Sequence, residues 1–384
     1  MIVYCSNCLL PKSKPDLYLN ETGKCAACVS FNERPSIDWN NRRIEFKNLV
    51  REIKSRKTSS WDCIVPVSGG KDSTAQVLHA LEYDLKPLCI TSTTCDLTPI
   101  GRKNIDNIKS FGVDYIEVSP NIQVRSRLNK LCLEQVGDIS WPEHVGIFTI
   151  PIRMAVQFRV PLILWGENSQ NEYGGPSSAS NKSNLDRRWL EEFGGLLGLR
   201  ISDLIETYGF SQQELDLYLY PSAQDIEQLG LKGIFLGYYF KWDGITNFLI
   251  SQANGFKAHS SLVEGSIVSF ENIDNYQTGI HDYFKFLKFG FGRATDITSL
   301  YIRRNFITRE QGLGLVKKFD GKYPNSYLDK PLDQILDRIE LSIEEFDKIC
   351  DRFTNFKLFE KDSRGALIRD GSKNLTKINY DNIT

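Results

Sequence analysis

From residue 61 onward, short apolar runs alternate with amphipathic stretches, and this rhythm predicts the elements of the chain. Residues 63–67 read as a strand, 72–83 as a helix, 86–92 as a strand, 102–111 as a helix and 115–118 as a third strand, with a further helix from about residue 125. A helix near 147–157, a fourth strand at Leu162–Trp165 and a fifth at 234–239 complete the series. Repeated βα units predict an α/β fold: a doubly wound, parallel five-stranded sheet that binds ligands at the carboxyl ends of its strands. The most apolar stretch, 146–165, is interrupted by Arg153, Gln157 and Arg159 and broken by Pro151 and Pro161. It predicts a buried helix followed by a strand, not a membrane span.

The pattern changes on either side of this body. Ile44, Leu49, Val50 and Ile53, set among basic residues, predict a linker helix within 35–58. Residues 169–220, rich in Gly, Ser, Asn and charge with helical pieces at 186–193 and 211–218, read as an insertion over the ligand-binding face. The region 271–384 is expected to be mainly helical, and Ser342-Ile-Glu-Glu345 starts a helix with Phe346, Ile349, Cys350 and Phe353 on one face. The expected units are therefore 1–34, 35–58, 59–270 and 271–384.

Composition narrows the class. With 41% hydrophobic and 25% charged residues, the chain reads as an ordinary globular enzyme. Lys and Arg total 47 against 48 Asp and Glu, so the basic excess that phosphate-backbone binding leaves is missing and no nucleic-acid partner is expected. Met1 to Cys8 carries neither a basic segment nor a long apolar run, which predicts a cytoplasmic protein with no membrane partner. Two pairs, Cys5-Ser-Asn-Cys8 and Cys25-Ala-Ala-Cys28, stand 16 residues apart. That spacing predicts a four-cysteine zinc knuckle within 1–34, structural because four thiolates leave no open position. A segment so poor in core residues should fold only with its metal. Cys63, Cys89, Cys95, Cys132 and Cys350 read as core thiols.

The chemistry centres on Val67-Ser68-Gly69-Gly70-Lys71-Asp72-Ser73, where an apolar strand runs directly into a helix. Gly69 and Gly70 let the backbone approach a phosphate, and the new helix offers free N–H groups and its positive dipole end. Ser68 and Ser73 add hydroxyls, Lys71 neutralises charge, and Asp72 is a candidate ligand for Mg²⁺ beside ATP phosphates. The segment is not a Walker A loop, which ends Gly-Lys-Ser/Thr after four intervening residues. Thr91 and Ser92 end the second strand, where related folds place the adenosine, and Gly166, Glu167 and Asn168 follow the fourth, facing nucleotide, metal or substrate. Arg102 and Asn104 are candidates for sugar or nucleotide contact, although a helix N-terminus also explains them. Trp242, in the aromatic run 238–242, is a candidate stacking surface, although alternating aromatics also fit a buried strand. His281 lies shortly before Lys288, and Lys288 is a second candidate cation for the phosphates or else a solvated lysine beside a turn.

The Ser68–Ser73 segment resembles the PP-loop of ATP pyrophosphatases such as GMP synthetase, NAD synthetase, asparagine synthetase and tRNA thiolases, with their adenine nucleotide alpha hydrolase-like (HUP) fold. Together with the two cysteine pairs, Trp165-Gly-Glu-Asn168, Glu172-Tyr173-Gly-Gly175 and Lys288-Phe-Gly-Phe-Gly-Arg293-Ala-Thr-Asp296, it resembles the N-acetyl sugar amidotransferase family over most of the chain. That resemblance implies that an acetamido oxygen of a nucleotide-linked N-acetyl sugar attacks the α-phosphate of ATP and releases pyrophosphate. Ammonia then displaces AMP to give an acetamidino group. It implies a place in bacterial surface-sugar pathways, O-antigen and lipopolysaccharide or pseudaminic and legionaminic acid routes. It also adds Tyr173 and Arg293 to the candidate substrate residues. Ammonia is expected from a separate glutaminase subunit, alongside a cyclase-like subunit, because Ile2 follows Met1 and no Gly-x-Cys-x-Gly occurs. Two other readings remain open at this point: a tRNA-modifying thiolase, and a non-catalytic, zinc-stabilised nucleotide-binding subunit.

Overall fold

The computed structural model describes residues 2–167 and 197–378. Asn168, Tyr173, the 172–175 motif and the helical piece expected at 186–193 lie outside the described residues. After a short α1 (Ala26–Glu33) comes α2 (Trp39–Arg56), begun by the Asp38 side chain accepting from the N–H groups of Asn40 and Asn41. Phe46, Val50 and Ile53 form its buried stripe, whereas Ile44 faces solvent. The series β1 (Cys63–Pro66), α3 (Lys71–Glu82), β2 (Pro87–Ser92), α4 (Pro99–Lys109), β3 (Asp114–Val118), α5 (Ile122–Val136), α6 (Trp141–Phe158), β4 (Leu162–Trp165) follows as the periodicity predicts. Helix α6 starts earlier than expected, with Pro142 in its first turn and Pro151 inside it. Helix α7 (Ile201–Glu206), a 3-10 turn at Asp216–Tyr218 and α8 (Ala223–Leu229) lead to β5 (Lys232–Phe235).

The five strands are all parallel, in the order β3-β2-β1-β4-β5. Alternate residues point to opposite layers, as the pleat requires. Cys63, Val65, Cys89, Leu162, Leu164 and Ile234 pack with α2 and α3, while Ile64, Leu88, Ile90, Ile163, Trp165 and Phe235 pack with Ile150, Ile152 and Ala155 of α6. Both faces are thus covered, which explains the near-continuous apolar strands. The chain winds one way from β1 to β3 and the other way through β4 and β5, so the crevice between the ends of β1 and β4 is the topological switch point.

The fifth strand is shorter than expected. After Phe235 the backbone turns at once into α9 (Leu236–Tyr239), so the aromatic run is a helical turn and loop rather than a strand. Its rings cap Phe46, which lies 5.4 Å from Tyr239 and 5.1 Å from Phe240 between centroids. Next, α10 (Gly244–Ala253) lies against α3. The C-terminal part holds α11 (Thr278–Phe289), α12 (Arg293–Arg303), α13 (Arg309–Phe319), α14 (Leu332–Leu336) and α15 (Ile343–Phe353), with a small hairpin of β6 (Ser326–Tyr327) and β7 (Lys330–Pro331). Helix α15 carries the expected capping box between Ser342 and Glu345 and buries Phe346, Ile349 and Cys350. Among the described residues helicity stops at Phe353: residues 354–378 form turns tied by isolated antiparallel bridges such as Phe359 with Lys377. No helix among the described residues is long and apolar enough to cross a membrane.

Candidate active site

Strand β1 delivers Val67 and Ser68 to the switch point, where Gly69 turns with φ +84°. A Cβ there would lie 2.9 Å from Ile105 Cγ1, so both the turn and the close packing on α4 require glycine. Gly70 caps α3 without a side-chain hydrogen bond to the helix, leaving first-turn N–H groups available. Ser68 and Ser73 brace the turn: the Ser68 N–H donates to Ser73 Oγ at 3.4 Å, and that hydroxyl donates to the Gly70 carbonyl at 3.0 Å.

The loop borders a cavity of about 360 Å³. Val67, Ser68, Asp72 and Ser73 line one part, Thr91 and Ser92 another, and Gly166 and Glu167 a third, so the ends of β1, β2 and β4 meet as predicted. Thr91 donates to the Val67 carbonyl at 2.7 Å, which fixes the β1 and β2 ends together. Ile105, Phe148, Pro151 and Trp165 supply apolar walls. Two buried polar atoms of lining residues, Thr94 Oγ1 and Trp165 Nε1, have no hydrogen-bond partner. Asp274 also reaches this cavity, and burial raises its carboxyl pKa to about 6.

Lys71 turns to the other side of the loop, into a small cleft that shares Asp72 and Glu167 with the cavity. Its ammonium is held 2.5 Å from Asp72 Oδ2 and 2.9 Å from Glu271 Oε1. Burial alone would lower its pKa, but the two carboxylates outweigh that and raise it, so the lysine is protonated at neutral pH. Asn247 on α10 donates to Asp72 Oδ1 at 2.8 Å, and the Ser251 hydroxyl donates to the Lys71 carbonyl at 2.7 Å. Trp242, buried rather than open for stacking, lies on Gly166: a Cβ on that glycine would stand 3.0 Å from the indole. Glu271, Asn247 and Asp274 were not singled out from the sequence. The polar run Glu271-Asn-Ile-Asp-Asn275 around one apolar residue is the signal that marks two of them.

Other sequence candidates lie elsewhere. Arg102 makes a two-pronged pair with Glu117, at 2.8 and 2.9 Å, on the outer side of α4. Asn104 is buried and both donates to and accepts from the Lys257 backbone, at 3.0 and 2.8 Å, so it anchors a loop. Lys288 donates to the carbonyls of Val136 and Gly137 at the end of α5, because the last turn of that helix leaves them unpaired; it is not brought to the phosphate loop. Burial lowers its pKa. Arg293 binds Asp282 at 3.0 Å and lines a separate cavity of about 420 Å³ with Tyr283, Lys322 and Tyr327. His281 meets Asp138 and His144 instead of the loop.

The cysteine pairs do converge. Cys5 Sγ lies 3.7 Å from Cys28 Sγ, as does Cys8 Sγ from Cys25 Sγ, and all four sulfurs fall within 4.8 Å of one another. Sulfurs around a tetrahedral zinc stand about 3.8 Å apart, so the donor set fits that ion. The Asn7 amide and the Cys25 N–H donate to Cys28 and Cys5 sulfurs at 3.3 and 3.2 Å, as thiolates require. The knuckle rests on the C-terminal part, where the Leu9 N–H donates to Ser299 Oγ at 3.2 Å and Leu9 packs with Ile302 and Val316.

Fold and loop together define an α/β protein with a glycine turn leading into a helix N-terminus at the switch point of a parallel sheet. Residues 264–373 match the family model described as the C-terminal domain of LPS biosynthesis protein WbpG-like proteins. That C-terminal part of the chain is therefore similar to the WbpG-like C-terminal domain. No curated protein matches the chain. Among solved structures, NMN synthetase from Francisella tularensis aligns over 59% of this chain and 99% of its own, at 11% identity and a TM-score of 0.29, a likeness too distant to inform the chemistry.

Proposed function

We propose that this chain is an ATP-dependent amidotransferase of bacterial surface-polysaccharide biosynthesis. It adenylates the acetamido oxygen of a nucleotide-linked N-acetyl sugar, releases pyrophosphate, and replaces the oxygen with ammonia to form an acetamidino group. The observation that carries this reading is the glycine turn between β1 and α3, which opens on a cavity of about 360 Å³ with Asp72 on its wall and the Lys71 ammonium in the adjoining cleft. The WbpG-like C-terminal match supports the pathway.

An amide oxygen is a poor leaving group, and bound ATP supplies the AMP that makes it a good one. The first N–H groups of α3 and the Ser68 and Ser73 hydroxyls would hold the phosphates. Asp72 would hold Mg²⁺. Lys71 would balance the charge of the departing pyrophosphate, the kind of electrostatic effect that is usually the largest in catalysis. Glu271 and Asn247 keep Lys71 and Asp72 in position. Thr91, Ser92 and Gly166 would border the adenosine, with Thr94 Oγ1 and Trp165 Nε1 as waiting partners for polar atoms of a ligand. Zinc at the four cysteines would be structural. A separate glutaminase subunit in the cytoplasm would supply the ammonia.

The test uses the purified chain with ATP, Mg²⁺, ammonium and a panel of nucleotide-linked acetamido sugars. AMP should form only with sugar and ammonium present, and the product should carry NH in place of oxygen by mass spectrometry. AMP without an amidine product, or no AMP with any sugar, overturns the reading. Glutamine alone should not replace ammonium; efficient use of it by the isolated chain would contradict a separate glutaminase.

A further inference from the structure

Away from the phosphate loop, three side chains converge from distant parts of the chain. Asp138 follows the left-handed turn at Gly137 that ends α5, His144 stands in the first turn of α6, and His281 in the first turn of α11. Their ligating atoms all lie within 4.8 Å of one another. Asp138 Oδ1 is 2.8 Å from His281 Nδ1, Asp138 Oδ2 is 3.2 Å from His144 Nδ1, and the imidazole centroids are 5.0 Å apart. We propose that Asp138, His144 and His281 form a second metal site, distinct from the cysteine knuckle, for a divalent first-row transition ion.

Distances and donor types point the same way. Nitrogen and oxygen ligands of a zinc-class ion sit about 2.0–2.2 Å from it, which sets neighbouring donors roughly 3–3.5 Å apart. The 3.2 Å spacing of His144 from Asp138 falls in that range, and the 2.8 Å spacing of His281, a hydrogen bond to the same carboxylate, lies just below it. Two imidazoles and one carboxylate suit zinc or iron, whereas magnesium and calcium prefer oxygen throughout. His144 Nδ1 is buried and faces Asp138 Oδ2 at 3.2 Å. The Asp138 carboxylate is oriented by the Ser140 N–H at 2.9 Å, and the Lys288 ammonium is turned onto the Val136 and Gly137 carbonyls.

Three protein donors leave at least one coordination position open, unlike four thiolates. Ile147, one helical turn beyond His144 on α6, lines the nucleotide cavity. The ion would therefore stand one turn from the cavity wall, where its open position suits a small donor such as water or ammonia. The proposal stands on the cluster alone and does not depend on which reaction the chain catalyses.

Metal content decides it. The full chain is stripped of loose metal, titrated with Zn²⁺ and then with Co²⁺, and the bound ions are counted by elemental analysis. We expect one equivalent at the cysteines and a second whose cobalt spectrum adds ligand-field bands without added thiolate charge transfer. His144→Ala and His281→Ala should each lose only the second equivalent and keep the thiolate bands. A wild-type chain that binds one equivalent overturns the proposal, and this outcome needs no variant to fold. Retention of the second equivalent by both folded variants overturns it equally.

Discussion

The Lys71 ammonium lies 2.9 Å from the Glu271 carboxylate, which joins the β1–α3 loop to a segment leading into the C-terminal helices. Both side chains are largely shielded, so the contact is worth more than a surface ion pair, and removing one partner leaves a charge poorly compensated. Asp72 remains as a second partner. Glu271→Ala should therefore lower stability by about 1–3 kcal/mol, read from the urea midpoint. An unchanged midpoint would show that Glu271 does not hold the lysine in solution.

Lys71→Ala and Asp72→Ala should each reduce AMP formation by about 100-fold or more, as removal of a group that balances transition-state charge does. Circular dichroism should confirm that the variants are folded. Full turnover in either variant would remove that residue from the proposed chemistry.

Gly69→Ala forces a side chain into φ +84° and against Ile105. The left-handed backbone costs about 1–2 kcal/mol and the overpacking about 1–3 kcal/mol. Nucleotide affinity, measured by calorimetry, should fall even where the variant stays folded; wild-type affinity would show that the turn tolerates a Cβ.

Asp274 gives a pH signature. Burial raises its pKa from 3.8 to about 6 in the folded protein, so between these values the folded state holds a proton that the unfolded chain has released. This contribution to stability is fully present below about pH 4 and is lost as pH rises through about 6, a change of up to roughly 3 kcal/mol. Asp274→Asn should flatten that part of the stability profile in urea titrations at pH 4 to 7. An identical slope in the variant would assign the pH dependence to other groups.

If the cysteine cluster holds zinc as proposed, chelation, or Cys5→Ser, should unfold the segment around it, because little apolar surface beyond Leu10, Leu17 and the cysteines holds it together. Release of Leu9 from Ser299 and Val316 should then increase amide exchange in α12 and α13. Unaltered exchange there after metal removal would show that the knuckle does not support those helices.

Local chemistry was readable from the residues themselves. A glycine turn between a strand and a helix needs only neighbours in sequence, and so does a CxxC pair, so the turn at Gly69 and the cluster of four cysteines were both legible. Short apolar runs and a Ser342–Glu345 capping box are likewise short-range, which is why the first four strands and α15 stand where expected. Long-range packing decided the rest. Lys288 and His281 sit beside a motif in sequence but turn to α5 and Asp138, because orphan helix carbonyls and a buried carboxylate attract them. Glu271, Asn247 and Asp274 reach the loop only once α10 and the segment after it pack against α3 and α4. Residue spacing records neighbours along the chain, whereas the partners of a buried charge are chosen by whichever elements the hydrophobic layers bring together.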